Sequence, residues 1–289
     1  MKRRQSSITA EGIAFARAME SRKPADERVC YDPYARQFVS PAMYVLMRTF
    51  WKYAQRRSPG VSDYLAVRTR HIDEVLRSRL DDGIAQLVIL GAGFDSRAYR
   101  FPQLKGRVKV FEVDHPATQA VKLVRLKKIF GAIPDHVTFV PIDFEHESLD
   151  KLFASGYAKH LKAFFIWEGV VMYLDPPSVD ATLAWVRQTS GTDSSIVFDY
   201  LYAEALNGTL KRREVASMRR YRRFTGEGLV FGIAKGTVAE FLTQRGFDCV
   251  HDADTNWLKR AYFIGVNQDR PLASAYAIVD ATVKPRKGG

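Results

Sequence analysis

The stretch that decides the fold is Leu87-Val88-Ile89-Leu90-Gly91-Ala92-Gly93-Phe94-Asp95-Ser96-Arg97. Its apolar run, with β-branched residues, predicts a buried strand that ends directly in Gly-Ala-Gly. Glycines at this point allow a sharp turn and a close approach of the backbone to a ligand, where parallel α/β sheets bind nucleotides. The next apolar run, Val108 to Asp114, ends in an acid 23 positions after Gly91. A carboxylate there can bind ribose hydroxyls, so the two strands predict a site for a nucleoside-containing cofactor.

The glycine pattern after the first strand is incomplete for a dinucleotide. A dinucleotide fingerprint is Gly-x-Gly-x-x-Gly, and its third glycine would fall on Ser96. That glycine lets a helix pack tightly on the strand and present its N terminus to a pyrophosphate. Its absence weakens the interpretation as an NAD(P)-dependent oxidoreductase without excluding it. S-adenosylmethionine carries no phosphate and does not need that helix end, so it is the second cofactor that this loop allows.

Length and composition bound the class of protein. A chain of 289 residues predicts one large α/β domain with extensions, or at most two domains. We find no run of eighteen apolar residues and no signal-peptide pattern, which predicts a cytoplasmic protein with no membrane partner. Cys30 and Cys249 are far apart and lack metal-ligand spacing, so we expect buried thiols and no metal site.

The net charge of +12 raises the possibility of a nucleic-acid partner. Much of the excess lies in residues 211–223, which contain seven basic residues and one acid. The sequence contains no motif for DNA or RNA binding, so nucleic acid is not the expected partner. A solvated helix face is the ordinary interpretation of such a run, and a basic wall around an anionic small substrate is the more specific one. A non-catalytic nucleoside- or RNA-binding protein is a further possible class, but the positive charge is its only support.

The chain divides into a helical start and an alternating remainder. Residues 1–84 predict an N-terminal helical cap, with a helix at about 63–80. Residues 85–270 alternate strand and helix, which predicts a doubly wound, mostly parallel sheet. An insertion over about 202–236 follows the fifth strand, and residues 271–289 are expected to form a C-terminal tail. The expected strands are 86–91, 108–114, 137–143, 163–169, 195–200, 247–250 and 261–266.

Polar residues follow several of these strands at one edge of the predicted sheet. They are Asp114, Asp143, Glu168 and Asp199. Because ligands bind beyond the carboxyl ends of the strands in open α/β sheets, their recurrence favours a binding site. Each has a structural alternative: Asp143 could cap a turn, and Glu168 could pair with an arginine.

Several motifs resemble the leucine carboxyl methyltransferase superfamily. Within it, the chain is most similar to a bacterial branch of class I S-adenosylmethionine-dependent methyltransferases that includes polyketide O-methyltransferases. The resemblance covers roughly residues 8–270 and implies a seven-stranded Rossmann-like methyltransferase sheet. The motifs that carry it are Leu90–Arg100, Phe111–Pro116, Asp32–Ala35, Tyr64–Arg70, Val140–Phe144 and Trp167–Leu174.

The resemblance also implies roles for individual residues around S-adenosylmethionine. The loop Gly91-Ala92-Gly93 would lie beside the methionine part, and Asp114 would hold the ribose. Asp143 and Phe144 would bracket the adenine, with phenylalanine offering an apolar ring face. Arg68, with Arg70 as the alternative, and Arg17 would bind the cofactor carboxylate, and Glu168 would face its amino group.

The methyl acceptor is less well defined by the sequence. Tyr173, Tyr200, Tyr202 and Arg222 are candidates for positioning it, and His115 is interpreted as structural. No residue stands out as a general base, which favours O-methylation of a carboxylate or an already acidic hydroxyl. We therefore expect a small, acidic substrate, and the sequence leaves a homo-oligomer open.

Overall fold

The computed structural model of the protein describes residues 5–144, 146–216 and 228–285. In this part of the chain, seven strands form one sheet with the order β3-β2-β1-β4-β5-β7-β6. Strands β1 to β5 run parallel to one another, whereas β7 is antiparallel to both β5 and β6. The strands are β1 Gln86–Leu90, β2 Lys109–Asp114, β3 Val137–Pro141, β4 Ala163–Trp167, β5 Ser195–Leu201, β6 Phe247–Ala253 and β7 Tyr276–Val283.

Helices precede the sheet and cover both of its faces. The described helices are α1 Gln5–Ser21, α2 Pro41–Arg57, α3 Val61–Asp81, α4 Arg97–Arg100, α5 Pro116–Phe130, α6 Lys151–Ala154, α7 Pro176–Thr189, α8 Ala203–Asn207, α9 Val238–Gln244 and α10 Thr255–Tyr262. Three short 3-10 helices lie at Pro102–Leu104, Val171–Tyr173 and Gly265–Asn267. Over the described ranges, none of these helices has the length and hydropathy to span a bilayer.

Alternation along the central strands builds a core on each face of the sheet. In β1, Val88 and Leu90 join one buried cluster, while Leu87 and Ile89 join the other. Successive side chains of a strand point to opposite faces, so a strand buried on both sides is apolar wherever its side chains find no hydrogen-bond partner. All five residues of β1 are buried; Leu87 to Leu90 are apolar, and Gln86 at the start exchanges hydrogen bonds with the backbone of Ala158.

The sequence predicted the first six strands closely but placed the last one wrongly. Ala261 and Tyr262 instead end α10, which begins where the Asp254 side chain accepts a hydrogen bond from the Trp257 amide. Ile264 and Val266 beyond it are exposed. The seventh strand lies in Tyr276–Val283, inside the expected C-terminal tail, and occupies the position between β5 and β6. The tail interpretation of 271–289 is therefore wrong for these residues, whose β-branched side chains are buried in the sheet.

Because β7 lies between β5 and β6, we predict that the protein does not fold stably without this strand. Burying an Ile or Val side chain contributes about 1.5–3 kcal/mol, and β7 buries Ile278, Val279 and Val283. Their sum is comparable with the roughly 5–15 kcal/mol that stabilises a typical protein. We expect a chain that stops after Arg270 to lose cooperative thermal unfolding, measured by circular dichroism. A chain that stops after Pro285 is the control and should melt like the full-length protein; equal melting of both would contradict the role of β7.

Candidate active site

A cavity lies at the carboxyl ends of β1 to β4, the position where open α/β sheets bind ligands. Its walls come from the loops after these strands, from α1 and α3, and from the segment around Val171–Tyr173. The structure brings together at this cavity every residue that the sequence assigned to the cofactor: Arg17, Arg68, Gly91, Ala92, Gly93, Asp114, Asp143, Phe144 and Glu168. Their individual roles toward a ligand stay predictions.

The loop Gly91-Ala92-Gly93 after β1 forms one wall of the cavity. Its backbone conformation requires glycine at the first and third positions. Gly91 has φ +65° and Gly93 has φ +43°, conformations that side chains disfavour. A Cβ on Gly91 would lie 2.3 Å from Cγ2 of Val170, which follows β4 and packs against the loop. The Ala92 amide donates to the Val113 carbonyl at 2.9 Å, which fixes the loop against β2. The loop is thus positioned by its backbone conformation, by Val170 and by β2, and it lines the cavity with little side-chain bulk.

Asp114 ends β2, and among the described residues its carboxylate is hydrogen-bonded by backbone amides. The His115 amide donates to Oδ1 at 2.6 Å, and the Gly93 amide donates to Oδ2. Burial raises the pKa of Asp114, and these two amides oppose the shift without abolishing it. A carboxylate has about four acceptor positions, so each oxygen can still accept a further hydrogen bond from a ribose hydroxyl.

Asp143 and Phe144 place a carboxylate and an apolar ring together in the cavity lining. Phe144 is half-buried and packs against the core of the sheet, so its ring is held in place. Asp143 lies beside it, with Oδ2 3.9 Å from Nε2 of His115. The Nδ1 atom of His115 accepts a hydrogen bond from the Ala117 amide and caps α5. An adenine would meet an apolar ring and a carboxylate here, as the sequence predicts.

Arg68 on α3 joins two strands at the edge of the cavity. Its Nε donates to Oε1 of Glu168 at 2.9 Å, and its Nη1 donates to Oδ2 of Asp199 at 2.6 Å. Asp199 is fully buried and also accepts a hydrogen bond from the Gly169 amide at 2.5 Å. Burial alone would lower the pKa of Arg68, but Asp199 and Glu168 raise it well above its usual value. Asp199 therefore fixes the arginine and the turn after β4 from behind the cavity wall.

A second arginine, Arg97, was missed as a site residue. Its Nη1 donates to Oε2 of Glu168 at 2.6 Å and to Asp95, and its Nε donates to Asp73 at 2.8 Å. Burial alone would raise the pKa of Glu168, but Arg97 and Arg68 lower it to about 2. Both oxygens of Glu168 are therefore engaged by arginines, which was the structural alternative for this residue. The only sequence signal for Arg97 was its place at the end of the opening stretch.

The N-terminal helix closes the cavity from the side opposite the sheet. Thr9, Ala10 and Ile13 of α1 contribute to the lining, and none of them was predicted. Arg17, one turn further along, donates through Nε to Asp32 at 2.9 Å and through Nη2 to the Phe94 carbonyl at 2.5 Å. These bonds tie the helix to the glycine loop and leave a buried cation beside it.

The residues predicted to position the acceptor are only partly brought together. Tyr173 lines the cavity. Tyr200 is fully buried and donates to Asp252 at 3.0 Å, and Tyr202 is also buried; neither lines the cavity. Tyr200 follows the alternation of β5 into the core, and Tyr202, one residue beyond β5, is buried in the same cluster, so their role toward the acceptor stays a prediction that the described cavity does not support. Arg222 lies outside the described residues.

Two solved structures share this architecture. A structure described as a predicted methyltransferase from Thermobifida fusca superposes with a TM-score of 0.59 at 16% identity, covering 94% of this chain and 95% of that one. A DUF574 family protein from Streptomyces avermitilis superposes with a TM-score of 0.58 at 12% identity, covering 94% and 97%. The fold is therefore that of a Rossmann-like α/β methyltransferase.

Sequence comparisons identify the family. The family model described as leucine carboxyl methyltransferase matches residues 10–187. The predicted S-adenosyl-L-methionine-dependent methyltransferase YktD of Bacillus subtilis is 32% identical over 223 residues, 69% of this chain and 72% of that protein. A Mycobacterium tuberculosis protein predicted to have the same activity is 31% identical over 264 residues, covering 83% and 82%. The chain belongs to the leucine carboxyl methyltransferase family.

The contacts of Asp114 predict its contribution to cofactor affinity. In Asp114→Asn, one oxygen becomes an NH₂ group and the charge is lost, so bonds to ribose hydroxyls weaken. Hydrogen bonds to charged groups contribute about 1.5–3 kcal/mol, so we expect S-adenosylmethionine to bind roughly tenfold to a hundredfold more weakly by calorimetry. Asp135→Asn is the control, because the Asp135 side chain is 95% exposed. Unchanged affinity in Asp114→Asn would refute the ribose assignment.

The ion pairs of Glu168 predict a pH-dependent loss of stability. Glu168→Gln leaves Arg68 and Arg97 without their shared carboxylate, and breaking such a buried pair costs about 3–5 kcal/mol. Because its pKa is lowered from 4.5 to about 2, the contribution is complete above pH 4.5 and is lost as pH falls through about 2.

We therefore expect urea unfolding to show a large difference between wild type and Glu168→Gln at neutral pH that shrinks below pH 4.5. Glu147→Gln is the matched control, because Glu147 pairs with Lys151 at the surface and should change stability little. A difference that stays constant with pH would show that the Glu168 charge is not the cause.

Proposed function

We propose that the protein transfers a methyl group from S-adenosylmethionine to a carboxylate or acidic hydroxyl oxygen of a small molecule. Membership of the leucine carboxyl methyltransferase family and the names of its relatives support the donor and the reaction. They favour this function over the oxidoreductase and the non-catalytic binding protein that the sequence left open. The oxygen acceptor and the small-molecule substrate rest on the geometry of the cavity.

The described residues fit S-adenosylmethionine along its whole length. The glycine loop, whose Gly91 has no room for a Cβ, would lie against the methionine part, and Arg17 and Arg68 would face its carboxylate. Asp114 would accept the ribose hydroxyls, while Asp143 and Phe144 would flank the adenine. When bound, the cofactor supplies a methyl group activated by positive sulfur, so the protein contributes mainly position.

The acceptor would lie on the apolar side of the cavity. Ile13 of α1 faces this side, together with Val170, Tyr173 and Leu174 from the segment after β4. These walls would hold an apolar molecule in a fixed orientation, with its nucleophilic oxygen in line with the methyl group. They would also exclude water from the reacting atoms. Tyr173 is the one described tyrosine of the lining and would orient the acceptor through its hydroxyl.

We propose oxygen as the methyl acceptor because the acids and the histidine of the described lining already have hydrogen-bond or ion-pair partners. Glu168 and Asp95 pair with Arg97, Asp114 binds two backbone amides, and Asp143 lies beside His115, with Oδ2 3.9 Å from its Nε2. His115 caps α5 at the adenine end, away from the apolar walls. A lining arranged in this way offers no prepared general base, and an acceptor that is already ionised needs none.

Product chemistry tests this proposal. The protein is incubated with methyl-labelled S-adenosylmethionine and a panel of apolar small molecules, each carrying one carboxylic acid, one acidic phenol or one amine. We expect labelled acid or phenol products, with mild alkali releasing methanol from an ester but not from an ether. Because carboxylic acids have a pKa of about 4, turnover of an acid should change little between about pH 6.5 and 8.5. Label on nitrogen or carbon, or a rate that rises steadily with pH, would overturn the proposal.

A further inference from the structure

The helix α2 exposes an unusual amount of apolar surface. Val45 is 64%, Leu46 53%, Phe50 56% and Tyr53 63% exposed. Their spacing of one, four and three residues places them on one side of the helix. Single exposed apolar residues are ordinary, but a continuous apolar side of a surface helix marks an interaction site.

The opposite side of α2 already has its partner. The ring of Phe15 on α1 packs edge-on against Tyr44 and Trp51, with centroid distances of 5.4 and 5.3 Å. Met47 also packs into this cluster. The apolar residues on the outer side are therefore not needed to attach α2 to the protein.

Positive charge surrounds the exposed apolar side. Pro41–Arg57 contains four basic and no acidic residues, and the basic ones are all exposed: Arg48, Lys52, Arg56 and Arg57. The whole chain carries a net charge of +12. A helix with aromatic and aliphatic residues beside arginines and lysines has the composition of one that lies in the interface of an anionic bilayer.

A neighbouring loop adds further exposed apolar residues. Ile264 and Val266 are 68% and 70% exposed, the highest values among the large apolar residues described. Val266 shares a surface depression with Lys52 and Arg56 of α2, which also includes the acids Glu27 and Asp63. The loop therefore extends the apolar surface beyond the C-terminal end of the helix.

We propose that α2 docks the protein on a bilayer surface rich in anionic lipids. Leu46, Phe50 and Tyr53 would enter the headgroup region, and the basic residues would lie at the level of the lipid phosphates. This association is peripheral and differs from spanning, for which no helix of the described residues qualifies. A second copy of the chain is a poorer occupant, because pairing two α2 helices brings eight cations together with no acid from either helix.

Docking through α2 would place the candidate active site close to the lipid. Gly12 of α1 faces Met47 of α2, with its position for a Cβ 3.8 Å from the Met47 Cε. Ala10 and Ile13 of the same helix line the cavity. One helix, about 10 Å in diameter, therefore separates the docking surface from the site.

Vesicle flotation tests the proposal with the intact protein. We expect binding to vesicles of equal phosphatidylcholine and phosphatidylglycerol, weak binding to phosphatidylcholine alone, and loss of binding as salt rises. Leu46→Ser/Phe50→Ser and, separately, Arg48→Glu/Lys52→Glu should each weaken binding to the anionic vesicles roughly tenfold or more. Thermal melting of each variant verifies its fold, and the exposure of these residues predicts little change.

Matched variants elsewhere make the test specific to α2. Lys127→Glu/Lys128→Glu changes the net charge equally on exposed residues of α5, and Val124→Ser/Val250→Ser removes apolar residues that are each 56% exposed. These controls should stay within about twofold of wild type. Equal losses in the α5 charge variant, equal binding to neutral vesicles, or no flotation at all would overturn the proposal. A dimer that α2 variants dissociate, without vesicle binding, would assign the surface to a second copy instead.

Discussion

Arg68 makes the interaction on which the rest of the site depends, because it connects carboxylates from two neighbouring strands to a helix. Glu168 follows β4, Asp199 lies within β5, and both accept hydrogen bonds from the same guanidinium. Arg97 extends the network from Glu168 to Asp73 on α3 and to Asp95 in the loop after β1. Charges buried this deeply are tolerated only when all are paired and hydrogen-bonded. The network therefore fixes the relative positions of α3, the glycine loop and the turn after β4.

This network divides the acids at the edge of the sheet into two functional kinds. Glu168 is held ionised between two arginines, and its oxygens already have partners. Asp114 is also buried, but among the described residues its oxygens accept hydrogen bonds from two backbone amides, and burial raises its pKa. Each oxygen of both acids has room for a further hydrogen bond, but two arginines already compensate the charge of Glu168, whereas no hydrogen-bonded cation of the described residues compensates that of Asp114. The carboxylate outside the ion-pair network is thus the better ligand of a neutral ribose.

Features that depend on residues close together in the sequence could be predicted. Contacts between segments far apart in the sequence could not. Gly91 and Asp114 could be predicted because a strand, its turn and the acid of the next strand are local signals. The pairing of Arg97 with Asp73 could not, since it depends on where α3 crosses the loop. Tyr200 shows a different limit: strand alternation, fixed by the register of β5 with β7, turns its side chain to the core rather than the cavity.

The charges of the described cavity are largely compensated within the protein. Two arginines line it, and both are bound to carboxylates, while four acids line it as well: Asp95, Asp114, Asp143 and Glu168. Arg97, behind the wall, pairs with Asp95 and Glu168, so two of these acids have a cation beside them. A lining compensated in this way could accept a sulfonium without strongly repelling an ionised acceptor. The net charge of +12 therefore does not come from the described lining; residues 217–223 of the basic run lie outside the described residues, and within the described ones α2 carries four basic residues without one acid.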